Sequence, residues 1–104
     1  MSVQFSYDNN RLTAALKGDI DHHGAAEMRI QIDGELERTT PSLLTLDFSE
    51  VGFMDSSGIG LILGRARKTS GWNGKVVITS PSDQVRKILK LSGLEGMIKK
   101  TEGK

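Results

Sequence analysis

The chain has 104 residues, with 14 basic and 13 acidic side chains and no cysteine. With 37% hydrophobic residues, it can form one core but not two, so we expect one domain over residues 1–104. Because the charges nearly cancel, direct binding to nucleic acid or to an acidic membrane surface is not expected. No apolar run approaches membrane-spanning length, and the lack of cysteine excludes disulfides and thiolate metal sites. We expect a cytoplasmic protein.

The first third of the chain predicts a β-hairpin followed by a helix. Apolar and polar residues alternate over residues 3–7 and 12–16, and DNNR between them is typical of a turn. Beyond Asp21, apolar residues recur at steps of three and four, which predicts a helix that ends before Pro41. Ile30 lies off the apolar stripe of this helix. The stripe consists of Ala25, Met28, Ile32 and Leu36.

The middle of the chain predicts two strands separated by a helix. SLLTLDF, residues 42–48, is nearly continuously apolar, as expected for a strand covered on both faces. The helical period returns after Ser56 and extends to about Ser70, where GWNG predicts a stop and a turn. KVVIT then predicts a second short buried strand.

The C-terminal part predicts a third helix and a short final strand. SPSDQVRKILKLSG has Ser80 as a candidate N-cap, Pro81 at the first helical position and Gly93 after the last turn. Asp83 is an approximate capping-box partner, and MIKKT predicts a final strand. The resulting order, ββαβαβα(β), predicts an α/β fold in which crossover helices connect a mixed sheet.

The segment FMDSSGIGLILGR, residues 53–65, places two serines between an aspartate and a glycine-rich apolar run. Serine and aspartate both cap helices, so one interpretation is a helix N-cap. The other is a serine with a chemical role. A hydrolase nucleophile requires G-x-S-x-G, and Ser56 has Met54 and Gly58 at the flanking positions, so half of that motif is missing. We therefore expect no catalytic serine.

Glycines 58, 60 and 64 do not form a nucleotide-binding motif. Their pattern, G-x-G-x-x-x-G, is one residue longer than the dinucleotide fingerprint, and the sequence contains no Walker motif. We expect no cofactor.

The helix that follows the serines has two faces. At about 100° per residue, four apolar residues share one side and are expected to pack on the sheet. These residues are Ile59, Ile62, Leu63 and Ala66. Leu61 points about 160° away from Ile59, on a side shared with Gly60 and Gly64. Such a flat apolar face suits a partner protein, although another helix could also cover Leu61.

GDIDHHGA, residues 18–25, contains two carboxylates and two adjacent histidines. A metal site is one interpretation, but adjacent histidines rarely bind one ion and no distant cluster completes a ligand set. A second interpretation makes Asp21 the N-cap of the first helix. In a third, this loop lies at the same end of the sheet as Ser56, and Asp21 and His22 border the serine. The sequence places neither histidine as a general base, so we expect no metal and no enzymatic activity.

DFSEVGFMDSSGIGLILGR, with GDIDHH before it and LSGLEGMIKK after it, resembles the anti-sigma factor antagonist family. This family is built on the STAS domain, which sulfate transporters share. The resemblance covers almost the whole chain and is closest to the sporulation branch. It implies a cytosolic domain that competes with a sigma factor for an anti-sigma factor that is also a serine kinase. By motif position, the kinase phosphorylates Ser56, and a separate serine phosphatase reverses the modification.

The residues and the resemblance together predict a partner-binding surface around Ser56. Phosphorylation there adds about 1.5 to 2 negative charges, which should block the partner by obstruction and repulsion while the fold remains. An alternative function is a STAS-type scaffold or sensor subunit in a phospho-regulated signalling complex. Family members commonly have a further C-terminal helix, whereas this sequence ends at KKTEGK. The predicted partner-binding residues are Asp21, His22, Asp55, Ser57, Gly58, Ile59, Gly60, Leu61 and Gly64.

Overall fold

The predicted α/β order is confirmed in the computed structural model, which describes residues 2–99. The elements are β1 (Ser2–Asp8), β2 (Arg11–Lys17), α1 (His22–Thr39), β3 (Leu43–Glu50), α2 (Ser56–Ser70), β4 (Lys75–Thr79), α3 (Asp83–Leu91) and a 3-10 turn (Glu95–Met97). The predicted final strand is reduced, within the described residues, to a parallel bridge between Ile98 and Ile78. The Lys99 amide continues it by donating to the Ile78 carbonyl over 2.8 Å. Residues 100 and 101 of that predicted strand lie outside the described residues.

The four strands form a mixed sheet in the order β1-β2-β3-β4. β1 and β2 are antiparallel, which confirms the predicted hairpin, and β2, β3 and β4 are parallel to one another. The hairpin turns at Asn9 and Asn10, whose φ angles are 51° and 66°. A two-residue turn with both φ angles positive matches the twist of the flanking strands, and asparagine tolerates that conformation.

The core lies on one face of the sheet. In β3, Leu44, Leu46 and Phe48 are buried, whereas the residues between them are only half-buried. The expectation that this strand is covered on both faces is therefore wrong. The connections β2-α1-β3 and β3-α2-β4 both advance in the same direction across the sheet. Because such crossovers are right-handed, they place α1 and α2 on the same face.

The α1 prediction is confirmed. Its four predicted stripe residues are buried, and Ile30 is 66% exposed. The helix begins after Asp21 and ends at Thr39, two residues before Pro41, as expected for a residue that cannot continue a helix. No helix within residues 2–99 has both the length and the apolar character that a membrane crossing requires.

The predicted N-cap of α3 is wrong by two residues. Ser82 caps this helix by accepting a hydrogen bond from the Val85 amide over 3.2 Å. Ser80 instead has a left-handed backbone, with φ 55°, and turns the chain out of β4. That turn delays the start of the helix past Pro81. Gly93 follows the last turn with φ 77°, as predicted for a helix terminator.

Candidate functional site

Two helix N-termini lie side by side at the carboxyl edge of the parallel strands. Ile20, after β2, forms a parallel bridge with Met54, after β3. The Ile20 amide donates to the Phe53 carbonyl over 2.9 Å, and the Asp55 amide donates to the Ile20 carbonyl over 3.1 Å. Asp21 follows Ile20 in the sequence, and Asp55 follows Met54. The expectation that the GDIDHH loop and the serine motif share one end of the sheet is therefore confirmed.

The two aspartates cap the two helices. Asp21 accepts from the Gly24 amide over 2.8 Å, and Asp55 accepts from the Ser57 amide over 2.8 Å. The hydrogen bond from Gly24 is the main reason that the pKa of Asp21 is lowered, because it stabilises the carboxylate form. The N-cap interpretation of Asp21 is thus confirmed. Within residues 2–99, no group of His, Cys, Asp and Glu is arranged to bind a metal.

The serines occupy the first two helical positions of α2, so neither is the N-cap. Ser56 is exposed and Ser57 is half-buried, with its amide already used by Asp55. A group attached to the Ser56 oxygen would project from the first turn of the helix. There, the positive end of the helix dipole favours negative charge.

The exposed residues of α2 form a line along the helix, spaced alternately by four and three. We call this line the outer face of α2. It consists of Ser56, Gly60, Leu63, Arg67 and Ser70. The buried residues lie on the opposite side and are Gly58, Leu61, Ile62, Arg65 and Thr69.

Leu61 and Leu63 occupy the reverse of their predicted positions. Leu61 is 3% exposed and packs in the core, whereas Leu63 is 42% exposed. Of the two alternatives for Leu61, a partner-facing residue or a residue covered by another helix, the structure supports the second. Gly58 is also buried, and a Cβ at that position would overlap the Met54 side chain. The prediction that Leu61 and Gly58 contact a partner directly is therefore wrong, because both residues are buried.

The spacing of apolar residues in α2 did not predict the positions of Leu61 and Leu63, because the buried face of this helix includes polar residues. Arg65 is 6% exposed, and its Nε lies 2.8 Å from Asp33 Oδ1 of α1. That N–H does not point at the oxygen, so the contact is an ion pair without a hydrogen bond. A second guanidinium nitrogen donates to the Leu61 carbonyl over 3.3 Å, and the Thr69 hydroxyl donates to the Arg65 carbonyl over 3.0 Å. Burial lowers the pKa of Arg65, although Asp33 opposes this effect.

A groove of about 400 Å³ separates α1 from α2 beside the serine motif. His22 and Ser57, from the two helix N-termini, both line it. The groove therefore brings together residues of the GDIDHH loop and the serine motif, as predicted. Sequence reasoning missed the basic side chains of Arg29 and Arg65. The lining is His22, Ala25, Ala26, Arg29, Ser57, Gly60, Leu61, Gly64 and Arg65.

The sequence matches the STAS domain over residues 4–103. The chain belongs to the STAS domain family. An anti-sigma F factor antagonist from Lysinibacillus sphaericus is 35% identical over 79 residues, which cover 76% of this chain and 68% of that protein. The anti-sigma factor antagonist SpoIIAA in its unphosphorylated form is 31% identical. The two structures superpose with a TM-score of 0.85, covering 97% of this chain and 90% of that chain.

The structure of the Bacillus cell fate determinant SpoIIAA in its phosphorylated form is also similar to this STAS domain. It is 30% identical, with a TM-score of 0.75, and covers 97% of this chain and 93% of that chain. The family resemblance inferred from the serine motif is therefore confirmed. Solved structures of both phosphorylation states have the fold of this STAS domain.

The remaining predicted residues are exposed or half-buried in the STAS domain. Asp21, His22 and Gly60 are exposed, and Ile59 and Gly64 are half-buried. The other predicted positions, Asp55 and Ser57, are half-buried in the first turn of α2. Leu63 is the exposed apolar residue of this surface that sequence reasoning assigned to the core.

Proposed function

We propose that this STAS domain is an anti-sigma factor antagonist. Its unphosphorylated form binds an anti-sigma factor that is also a serine kinase, and that binding frees the sigma factor. The kinase phosphorylates Ser56 and thereby ends binding, and a separate serine phosphatase restores the binding form. The domain acts in the cytoplasm as a binding protein and performs no catalysis itself. The exposed Ser56, in the first turn of α2, is the observation that carries this proposal.

The outer face of α2 is the proposed docking surface. Gly60 follows Ser56 by one helical turn, and a Cβ there would meet nothing within 4 Å, so a partner can approach the backbone closely. Leu63 adds an apolar side chain on the same line, 42% exposed. An apolar side chain beside a flat glycine surface provides area that a partner can bury without leaving polar groups unpaired.

A phosphate on Ser56 is compatible with the folded domain. At a helix N-terminus, the phosphate meets the positive end of the helix dipole, an interaction worth about 0.3 to 1 kcal/mol at an exposed site. Binding is affected differently, because the added charge of about −1.5 to −2 must be desolvated against the partner. The adjacent Asp55 and Asp21 carboxylates add like charge. The expected switch is local obstruction and repulsion, without refolding.

The similarity to SpoIIAA supports this proposal, since that antagonist has solved unphosphorylated and phosphorylated forms. A scaffold or sensor subunit with the same fold would bind its complex without being a substrate of an anti-sigma kinase. Phosphorylation by such a kinase therefore separates the two functions.

The test is to incubate the protein with its anti-sigma factor and ATP and to locate the phosphate by fragment mass spectrometry. We expect modification of Ser56 in the wild type and in Ser57→Ala, and none in Ser56→Ala. Ser57→Ala is the matched control because it keeps the backbone N–H that donates to the Asp55 carboxylate. Phosphate on Ser57, or no phosphorylation of a folded protein, would contradict the proposal.

A further inference from the structure

The side chain of Gln84, in α3, binds the backbone of Met54 with both ends of its amide. The Met54 N–H donates to Gln84 Oε1 over 3.0 Å, and Gln84 Nε2 donates to the Met54 carbonyl over 2.9 Å. Gln84 lies 30 residues away in sequence, so this contact joins α3 to the segment immediately before the serine motif.

The backbone around Met54 is therefore held on two sides. On one side, Ile20 forms the parallel bridge, accepting from Asp55 N–H and donating to the Phe53 carbonyl. The N–H and carbonyl of Met54 itself point the other way, as they do along a strand. β4, the neighbour of β3, ends at Thr79, which pairs with Asp47. Beyond the end of β4, the Gln84 amide takes the place of a strand.

Displacement of Met54 would be transmitted directly to Ser56. The Met54 side chain is fully buried and lies against Gly58, where even a Cβ would overlap it. Asp55, the next residue, caps α2 through the Ser57 amide. The first turn of α2 is thus fixed to Met54 both through the chain and through side-chain packing.

We propose that Gln84 is a positioning residue for Ser56: by holding the Met54 backbone, it fixes the first turn of α2 in the geometry that the kinase recognises. This inference rests on the proposed function, in which Ser56 is the phosphorylated residue.

Gln84→Glu tests this role because it keeps the shape of the side chain and changes one hydrogen bond. At neutral pH the carboxylate still accepts from the Met54 amide but cannot donate to the Met54 carbonyl. Protonation near the usual glutamic acid pKa of about 4.3 supplies the missing donor. Gln84→Leu removes both hydrogen bonds. Gln31→Glu, at an exposed position of α1, is the matched control for the added charge.

The first readout is the amide NMR spectrum of residues 54–57, recorded between pH 7 and pH 4. In Gln84→Leu, which removes the acceptor of the Met54 N–H, we expect hydrogen exchange at that amide about fivefold faster, the effect of losing one ordinary hydrogen bond. In Gln84→Glu at pH 7 we expect shifted resonances. Acidification should return the resonances toward their wild-type positions. Gln31→Glu should match the wild type at every pH.

The second readout is kcat/KM for Ser56 phosphorylation at neutral pH, with the anti-sigma factor as kinase. We expect it to fall about fivefold in Gln84→Glu and Gln84→Leu and to stay unchanged in Gln31→Glu. Wild-type resonances at residues 54–57 in Gln84→Glu, or an unchanged kcat/KM despite shifted resonances, would overturn the inference. If no kinase modifies the wild type, the proposed function fails, and the pH-dependent resonances alone decide whether Gln84 positions the segment.

Discussion

The substitution Gly60→Ala separates the stability of α2 from its docking role. Gly60 lies in the interior of α2, is exposed, and has nothing within 4 Å of an added Cβ. Alanine is favoured over glycine inside a helix by about 0.8 to 1 kcal/mol. We therefore expect the free energy of unfolding to rise by about 1 kcal/mol, and Tm by about 4 °C. Thermal and urea unfolding measure both quantities.

The same methyl group should weaken partner binding. Interface cores are packed as densely as protein interiors, and excess volume in such packing costs about 1 to 3 kcal/mol. The lower limit corresponds to a fivefold loss of affinity, measurable by calorimetric titration against the anti-sigma factor. Gly34→Ala is the matched control, because Gly34 is an exposed glycine of α1 that also has nothing within 4 Å.

Both alanine variants should gain similar stability, and only Gly60→Ala should lose affinity. Equal affinities for the two variants would refute the docking role of the outer face of α2. A loss of stability in Gly60→Ala would refute the exposed position of Gly60.

Two further predictions concern burial and capping. Leu61→Glu should destabilise the fold by about 3 kcal/mol or more, because it places a charge in the core. Leu63→Glu should change stability by about 0.5 kcal/mol or less and still weaken binding. Urea unfolding measures stability and titration measures binding, and a larger loss of stability in Leu63→Glu than in Leu61→Glu would contradict this prediction. The pKa of Asp21 is lowered in the folded state from its ordinary value of 3.8. Its cap therefore stabilises the fold at pH values above 3.8, and this stabilisation is lost as the pH falls through the lower pKa of the folded state. Asp21→Asn, which caps without titrating, should flatten the acid limb of the stability curve, and an unchanged acid limb would contradict this.

The order of elements and the first helix could be predicted because local patterns and tertiary burial agree there. The hairpin has alternating residues and an Asn-Asn turn, and α1 has a single apolar stripe with an aspartate cap. The STAS resemblance rests on a contiguous motif, so it did not depend on knowing which helix face is buried.

The faces of α2 could not be read from the sequence because burial there depends on a neighbouring helix. The Arg65 and Asp33 ion pair and the internally bonded Thr69 put polar side chains on the buried face. A count of apolar residues places three of the four predicted residues correctly, since Ile62 is buried and Ile59 and Ala66 pack against the core, but it exchanges Leu61 with Leu63. The glycines of the helix do not identify its buried face either, because Gly58 is buried against Met54 whereas Gly60 is exposed.

The contacts of Gln84 were equally invisible in the sequence. Its two hydrogen bonds reach Met54 across 30 residues, and no local pattern marks a glutamine that replaces a strand. The predicted position of the α3 N-cap was wrong for a related reason, because the left-handed turn at Ser80 depends on where β4 ends.

The most direct test of the account is displacement of a labelled sigma factor from its complex with the anti-sigma factor. Unphosphorylated protein and Ser56→Ala should release the sigma factor, and protein phosphorylated at Ser56 should not. Ser56→Asp should release less than the wild type while keeping its stability to within roughly 1 kcal/mol, because aspartate is compatible with a helix N-terminus. Equal release by the phosphorylated and unphosphorylated proteins would contradict the claim that Ser56 controls binding.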